Sequence, residues 1–372
     1  MAVTRQTERA GTTTKVLSIL TSACLMLSGV LTMAGCGGGG GGSQANASGA
    51  VALVSYQPVA AVAGYVAYAY DARGNKAMEI KYFSSGADDS WLTGDDEVSS
   101  YIMYSYDENG NCIEEVRYAG RGTDGVWLTG GDEVSSYTVY QYNDSGKLNR
   151  AIVYSGAGTD GLWQTHDDIV SHYTSFFYDT NGNCSQEIKY QGAGADGIWL
   201  DQDDAVGSVS TYSYDEYNNK TMTIYYSAPG NDLTWLTDDD LVSFYTKYFY
   251  DGYNRQIMAA NYNAKGTDGI WFSGDDTMSS YISKSYDSEG NLVREVNNTG
   301  AGGDGIWFTG DDVTCYTTTA YDAHGRRIEE NSFYRAGADG IWYSSDDNIG
   351  YYEVFSYDEV GRQTMVLHYS VS

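Results

Sequence analysis

Eight tryptophans stand in register along the chain: Trp91, Trp127, Trp163, Trp199, Trp235, Trp271, Trp307 and Trp342, separated by 36 residues six times and then by 35. A period of this size means a solenoid, a propeller or a stacked array, because each repeat is one supersecondary unit that buries its apolar face only against its neighbours. A second ladder keeps step: Tyr70-Asp71, Tyr106-Asp107, Tyr178-Asp179, Tyr214-Asp215, Tyr250-Asp251, Tyr286-Asp287, Tyr321-Asp322 and Tyr357-Asp358. Tyr142-Asn143 fills the remaining rung.

One unit parses locally. "SSYIMYSYD" (99–107) is rich in Tyr and Ile and reads as a strand. "ENGN" (108–111) contains Asn-Gly, the strongest short hairpin signal, and "CIEEVRYAG" (112–120) returns as the second strand. A loop around Trp127 then leads to the next strand, "EVSSYTVYQY" (133–142). Ile102, Tyr104 and Tyr106 alternate onto one face, and Val116 and Tyr118 share a face of their strand. The 36 Tyr and 45 Gly beside only two Pro suit strands joined by tight turns. The expected fold is all-β, with tandem 36-residue β-hairpin repeats forming a curled sheet or barrel-like solenoid over 56–372 in about eight units. The alternative is an eight-bladed propeller, disfavoured because a blade takes four strands in about 40 residues and only two are evident here.

The segments "YSYDENGN" (104–111), "SYDSEGNL" (285–292) and "AYDAHGRR" (320–327) resemble the YD repeats of RHS proteins and teneurins. That resemblance implies hairpins wound into a curled β-sheet shell, with Tyr-Asp closing a strand and Gly opening the turn. The loop with Trp and paired Asp is an addition to the usual shorter repeat.

The N-terminus reads as an address. Arg5, Arg9 and Lys15 precede the apolar run "VLSILTSACLMLSGVLTMAG" (16–35), which has the plan of an export signal. Its length would also allow a membrane span. "LTMAGC" (31–36) resembles the lipobox of bacterial lipoproteins, which implies cleavage of residues 1–35 and a lipid on Cys36. By the same resemblance, Gly37 where inner-membrane lipoproteins often carry Asp implies the outer membrane or cell surface. "GGGGGGS" (37–43) then serves as a tether within 36–55. Cys112, Cys184 and Cys315 remain. The first two lie two repeats apart, about 19 Å across a flat sheet at about 4.8 Å per strand, too far for a disulfide.

The carboxylates are clustered. Three residues before each Trp stands an Asp: Asp88, Asp124, Asp160, Asp196, Asp232, Asp268, Asp304 and Asp339. Four and five residues after it stand Asp95-Asp96, Asp167-Asp168, Asp203-Asp204, Asp239-Asp240, Asp275-Asp276, Asp311-Asp312 and Asp346-Asp347. The second loop keeps only Asp132, after Gly131. Crowded like charges are costly without a counter-ion, and an all-oxygen donor set suits calcium. The competing reading is turn chemistry, with each Asp capping backbone amides and each Trp a packing anchor.

The net charge is −29, and −31 once the +2 of the first 35 residues is removed. Nucleic acid is excluded as a partner, since phosphate binding needs a basic surface. His166, His172, His324 and His368 do not follow the repeat, and eight near-identical loops do not make one active site, so no enzyme is expected. Two readings remain. One is a lipid-anchored, calcium-stiffened surface protein that binds a polysaccharide or another cell, with the Trp row as packing or sugar-stacking residues. The other is a structural envelope or matrix component whose Asp loops are only turns.

Overall fold

The structure is a computed structural model that describes residues 60–371. The signal segment, Cys36 and the tether lie outside the described residues.

The described chain is eighteen antiparallel strands: β1 (Ala60–Tyr70), β2 (Lys76–Ser84), β3 (Glu97–Tyr106), β4 (Cys112–Gly120), β5 (Glu133–Tyr142), β6 (Leu148–Gly156), β7 (Ile169–Tyr178), β8 (Cys184–Gly192), β9 (Ala205–Tyr214), β10 (Lys220–Ala228), β11 (Leu241–Tyr250), β12 (Gln256–Ala264), β13 (Thr277–Tyr286), β14 (Leu292–Asn298), β15 (Val313–Tyr321), β16 (Arg327–Arg335), β17 (Asn348–Tyr357) and β18 (Gln363–Val371). Each pairs with its neighbours in sequence, and β1 pairs with β18, Ala60 opposite Val371. The sheet is therefore closed, and no edge strand is left. The barrel-like reading holds. The propeller does not, because every hairpin joins one continuous ring. Eight Trp loops connect nine hairpins, one more than the repeat count suggested, because the array begins and ends on a hairpin.

Eighteen strands at about 4.8 Å give a circular ring a radius of roughly 14 Å before tilt, wider than facing side chains can fill. Substantial strand contacts accordingly occur only between ring neighbours. The core is lateral. Tyr101 opposes Tyr118 and Met103 opposes Val116 on one face, while Ile102, Tyr104, Glu115 and Arg117 occupy the other. On the first face Ala69, Met78, Ile80, Val98 and Tyr101 form a buried cluster, against which Tyr82, Tyr118, Trp127 and Leu128 pack. Cross-strand rings stack, with Tyr101 and Tyr118 centroids 4.3 Å apart and Tyr245 and Tyr262 at 4.7 Å. Such pairs contribute about 0.5–1.5 kcal/mol each beyond area burial.

Register shifts at both rims supply the curvature, three of them in the β3–β5 unit, where Ala119 is also unpaired. Tyr118 pairs with Val134 while Arg117 pairs with Ser136, so Ser135 is extra near one rim. Tyr106 pairs with Cys112 while Ser105 pairs with Glu114, so Ile113 is extra near the other. A bulge bends its strand and increases local twist, which closes a ring that flat pairing would leave open.

The Tyr-Asp rungs build the second rim. The Asp107 amide donates to Asn111 O (2.9 Å), and Asp107 Oδ1 accepts from the amides of Asn109 and Asn111. Gly110 sits at φ 85°, which favours glycine. Tyr106 Oη donates to Lys76 O, one hairpin back, at 2.9 Å. The same bond recurs round the ring, and Tyr70 Oη to Gln363 O (2.7 Å) joins first hairpin to last. In later turns Arg replaces Asn: the Arg326 amide and guanidinium hold the Asp322 carboxyl down at about 2. Cys112, Cys184 and Cys315 are free thiols.

Burial, reinforced by a hydrogen bond to a carboxylate, raises the phenols of Tyr101, Tyr137 and Tyr245, and burial beside Glu115 pushes Tyr140 up to about 12. A raised folded pKa gives stability that is complete below the unfolded value near 10 and is lost as pH rises above it. We therefore expect cooperative unfolding in alkali beginning above about pH 10. Tyrosinate absorbance and far-ultraviolet dichroism should change together, and tyrosinate forming ahead of the loss of sheet signal would contradict this.

Candidate functional site

All eight Trp loops lie on one rim, where each even strand hands over to the next odd one. In each loop the residue after Trp is non-glycine at positive φ: Leu92 (69°), Leu128 (66°), Gln164 (66°), Leu200 (77°), Leu236 (68°), Phe272 (69°), Phe308 (71°) and Tyr343 (69°). Such a conformation costs about 1–3 kcal/mol and persists only where its surroundings enforce it. Two contacts do so. The side chain packs against the loop's tyrosine, as Phe272 does on Tyr245 with centroids 5.0 Å apart, while its outer side stays exposed. Its amide donates to the second Asp of the pair, Phe272 N to Asp276 Oδ2 at 2.6 Å.

That second Asp is the hub of the loop. Asp276 Oδ2 also accepts from Tyr245 Oη at 2.7 Å, and Asp132, Asp168, Asp204, Asp312 and Asp347 accept from Tyr101, Tyr137, Tyr173, Tyr281 and Tyr316 at 2.6–3.0 Å. Asp96 accepts from Tyr65 at 2.7 Å. Each bond ties a loop back to the first strand of the preceding hairpin. In the fifth loop the tyrosine position is Val209, and Asp240 accepts instead from the Leu236, Thr237 and Gly230 amides and the Thr237 hydroxyl.

The first Asp of the pair folds across the loop. Asp167 Oδ2 accepts from the amides of Thr159 (2.7 Å) and Asp160 (3.2 Å) and from Thr159 Oγ1, and its Oδ1 accepts from Thr165 Oγ1. Those hydroxyls and amides hold its carboxyl well below the usual carboxylate range, as they do for Asp95, Asp239, Asp275, Asp311 and Asp346. In the fourth loop amide and side-chain bonds lower Asp203, while Asp201, hydrogen-bonded to it, is raised. Gly158 faces this carboxylate: a Cβ there would stand 2.3 Å from Asp167 O, and φ is 60°. The Asp before Trp caps a tight turn, as Asp268 Oδ1 does for the Ile270 amide at 2.8 Å; Asp88, Asp124, Asp160, Asp196, Asp232, Asp304 and Asp339 repeat this.

Turn chemistry thus occupies at least one oxygen of each carboxylate, and both oxygens of Asp240. Remaining oxygens gather around the loop hydroxyl. In the seventh loop Thr309 Oγ1 lies 2.7 Å from Asp311 Oδ1, 3.4 Å from Asp312 Oδ1 and 3.0 Å from Ile306 O. In the fifth, Thr237 Oγ1 faces Asp232, Asp239, Asp240 and Thr234 O. A hydroxyl has one proton to give, so most of these acceptors are left facing each other. Oδ1 of Asp96, Asp132, Asp204 and Asp276 is buried with no hydrogen bond at all. Asp304, Asp311 and Asp312, and likewise Asp196, Asp201 and Asp203, each place a carboxylate oxygen within 4.8 Å of the other two. A hard, oxygen-seeking cation fits this donor set.

The tryptophans are all half-buried. Trp91, Trp127, Trp163, Trp199, Trp271, Trp307 and Trp342 set an edge against the loop's tyrosine at 5.8–6.1 Å, and Trp235 lacks that partner because Val209 stands there. This geometry serves packing. What stands out from the rim is the residue before Trp: Val126, Leu162, Ile198, Ile270, Ile306 and Ile341 are 57–64% exposed, while the fifth loop has Thr234 there and exposes Leu233, one residue earlier, at 81%.

No protein-family model matches the chain, and no match is found among curated proteins. Solved structures do match. A porin-like protein from Bacteroides uniformis is 9% identical, with 84% of this chain and 98% of that one covered at a TM-score of 0.36. A TcdB2–TccC3 toxin complex is 12% identical over 82% of this chain, at 0.25. The Tc holotoxin pore of Photorhabdus luminescens is also 12% identical, over 81%, at 0.24. This chain spans about a fifth of the toxin chains, 19% and 18%.

Asp276→Ala removes the acceptor for the strained Phe272 amide and for Tyr245. It should cost about 2–3 kcal/mol in urea unfolding, with Tyr245→Phe at about 1–2. The carboxyls of the first Asp set have folded pKa values below the unfolded value near 4. Their contribution is present above that pH and is lost as pH falls through the depressed values. Asp167→Asn should therefore flatten the acid limb of the stability curve, and an unaltered limb would show that the carboxylate is not tied.

Proposed function

We propose that the chain is an exported, lipid-anchored barrel of the bacterial envelope whose rim loops bind calcium. The observations that carry the cation reading are the buried Oδ1 atoms of Asp96, Asp132, Asp204 and Asp276, which accept nothing, and the two loops in which three carboxylates converge. Asp304, Asp311 and Asp312, with the Thr309 hydroxyl and the Ile306 carbonyl, would hold the ion in the seventh loop. The cation neutralises the like charges and stiffens the joint between hairpins. The second loop, with Gly131 in place of the first Asp, is the weakest site. The anchor reading rests on "LTMAGC" and Cys36.

With the Trp rings packed inward, ligand contact falls to other aromatics. Tyr217 and Tyr253 project from the Tyr-Asp rim at 65% and 82% exposure. They offer open rings to a polysaccharide or cell-surface partner, the contact expected of an adhesion protein.

Thermal melts in calcium and in chelator test the cation reading. A site at 100 times its Kd adds about 2.7 kcal/mol, so eight loops should raise Tm strongly, and the double substitution Asp304→Asn with Asp311→Asn should reduce the gain by about one site's share. An identical Tm in both conditions would sink the reading. Incorporation of a labelled fatty acid, lost in Cys36→Ser, tests the anchor.

A further inference from the structure

Odd strands run from the Trp-loop rim to the Tyr-Asp rim, and even strands return. β1 is odd, so it starts at the Trp-loop rim, and β18 ends beside it, Val371 opposite Ala60. The stretch that leads back to Cys36 therefore leaves the barrel at the rim from which the aliphatic side chains project. We infer that this rim rests on a zwitterionic lipid surface, with Ile270, Ile306, Ile341 and their counterparts dipping into the headgroup layer. The inference deepens the anchor reading above and rests on it for orientation.

Three observations converge. Six loops place Val, Leu or Ile at the same exposed position, so the rim carries a row of projecting aliphatic side chains. Each aliphatic sits next to a half-buried Trp, the pairing of apolar and amphipathic side chains found at membrane interfaces. The barrel wall is unsuited to lipid, because both its faces carry charge: Glu79, Lys81, Glu115 and Arg117 on one, Arg150 and Arg294 on the other. Contact is thus confined to the rim. The chain's −29 and the loop carboxylates disfavour anionic headgroups, which selects a neutral surface.

All strand pairings lie within residues 60–371 and close on themselves, so a polypeptide of residues 48–372 retains the whole fold without signal or lipid. That polypeptide should cosediment with phosphatidylcholine vesicles, and brominated phosphatidylcholine should quench its Trp fluorescence. Replacing Ile270, Ile306 and Ile341 together by Ser should lower partitioning at least tenfold with unchanged dichroism, since all three are exposed. Val360→Ser, on the opposite rim, should change nothing. Failure to bind neutral vesicles, equal binding by the triple variant, or binding only to anionic vesicles with calcium would each overturn the inference. Loss of the anchor reads out separately: full-length chain that takes no fatty-acid label, beside a barrel that still binds vesicles, removes the lipid on Cys36 and keeps the rim contact.

Discussion

The structure depends on a hydrogen bond from a strained amide to a buried carboxylate. Eight times, a large residue after Trp is held at positive φ, and in seven of these loops the second Asp accepts its N–H. For Leu128, in the second loop, the neighbouring Thr129 amide supplies the bond to Asp132 instead. Glycine would adopt that conformation without strain, yet it would give up the side chain that seals the tyrosine stack beneath. The chain keeps the bulk and offsets the strain with charge-assisted hydrogen bonds, which are about twice as strong as neutral ones. The tyrosine hydroxyl closing on the same oxygen couples loop geometry to strand register. Backbone strain, aromatic packing and electrostatics thus meet at one oxygen atom per repeat.

The other oxygen of that carboxylate is where fold and function diverge. Turn formation needs one acceptor per side chain, and the geometry meets that need fully. A loop evolved for turning alone would satisfy it with Asn, which adds donors and no charge. Negative charge concentrated beyond what the turns use is destabilising unless something positive completes it. On the proposed cation reading, the stability of the rim and its affinity for the ion are the same quantity seen from two sides.

Much of this was legible in the sequence, because a 36-residue period repeats every local signal. The strands 112–120 and 133–142 coincide with β4 and β5, since Asn-Gly, Gly and the Tyr-rich alternation mark both ends. Closure was only one option, because it depends on bulges at Ser135 and Ile113, and a bulge is one extra residue with no composition of its own. Asp107 and its equivalents cap turns as the Asn-Gly context implied. The tyrosine partners of the second Asp were not read, although Tyr101 and Asp132 keep a constant separation of 31 residues in seven loops. Their pairing runs from β3 past the whole of β4 to the following loop, and only register brings them together. The left-handed residue after Trp carried no signal either, because Leu, Gln, Phe and Tyr give none of the cues that Gly or Asn would.

Nine hairpins that share one turn, one loop and one set of register shifts each bend the wall by about 40°. Growth or loss of the ring by anything other than a whole hairpin would expose unpaired strands, so its circumference is quantised in steps of one repeat. The seam between β1 and β18 is bonded like every other joint, down to Tyr70 reaching Gln363. With Ala60 and Val371 lying side by side there, the barrel's strand order has no privileged starting point, and a circle opened at any other loop would describe the same object.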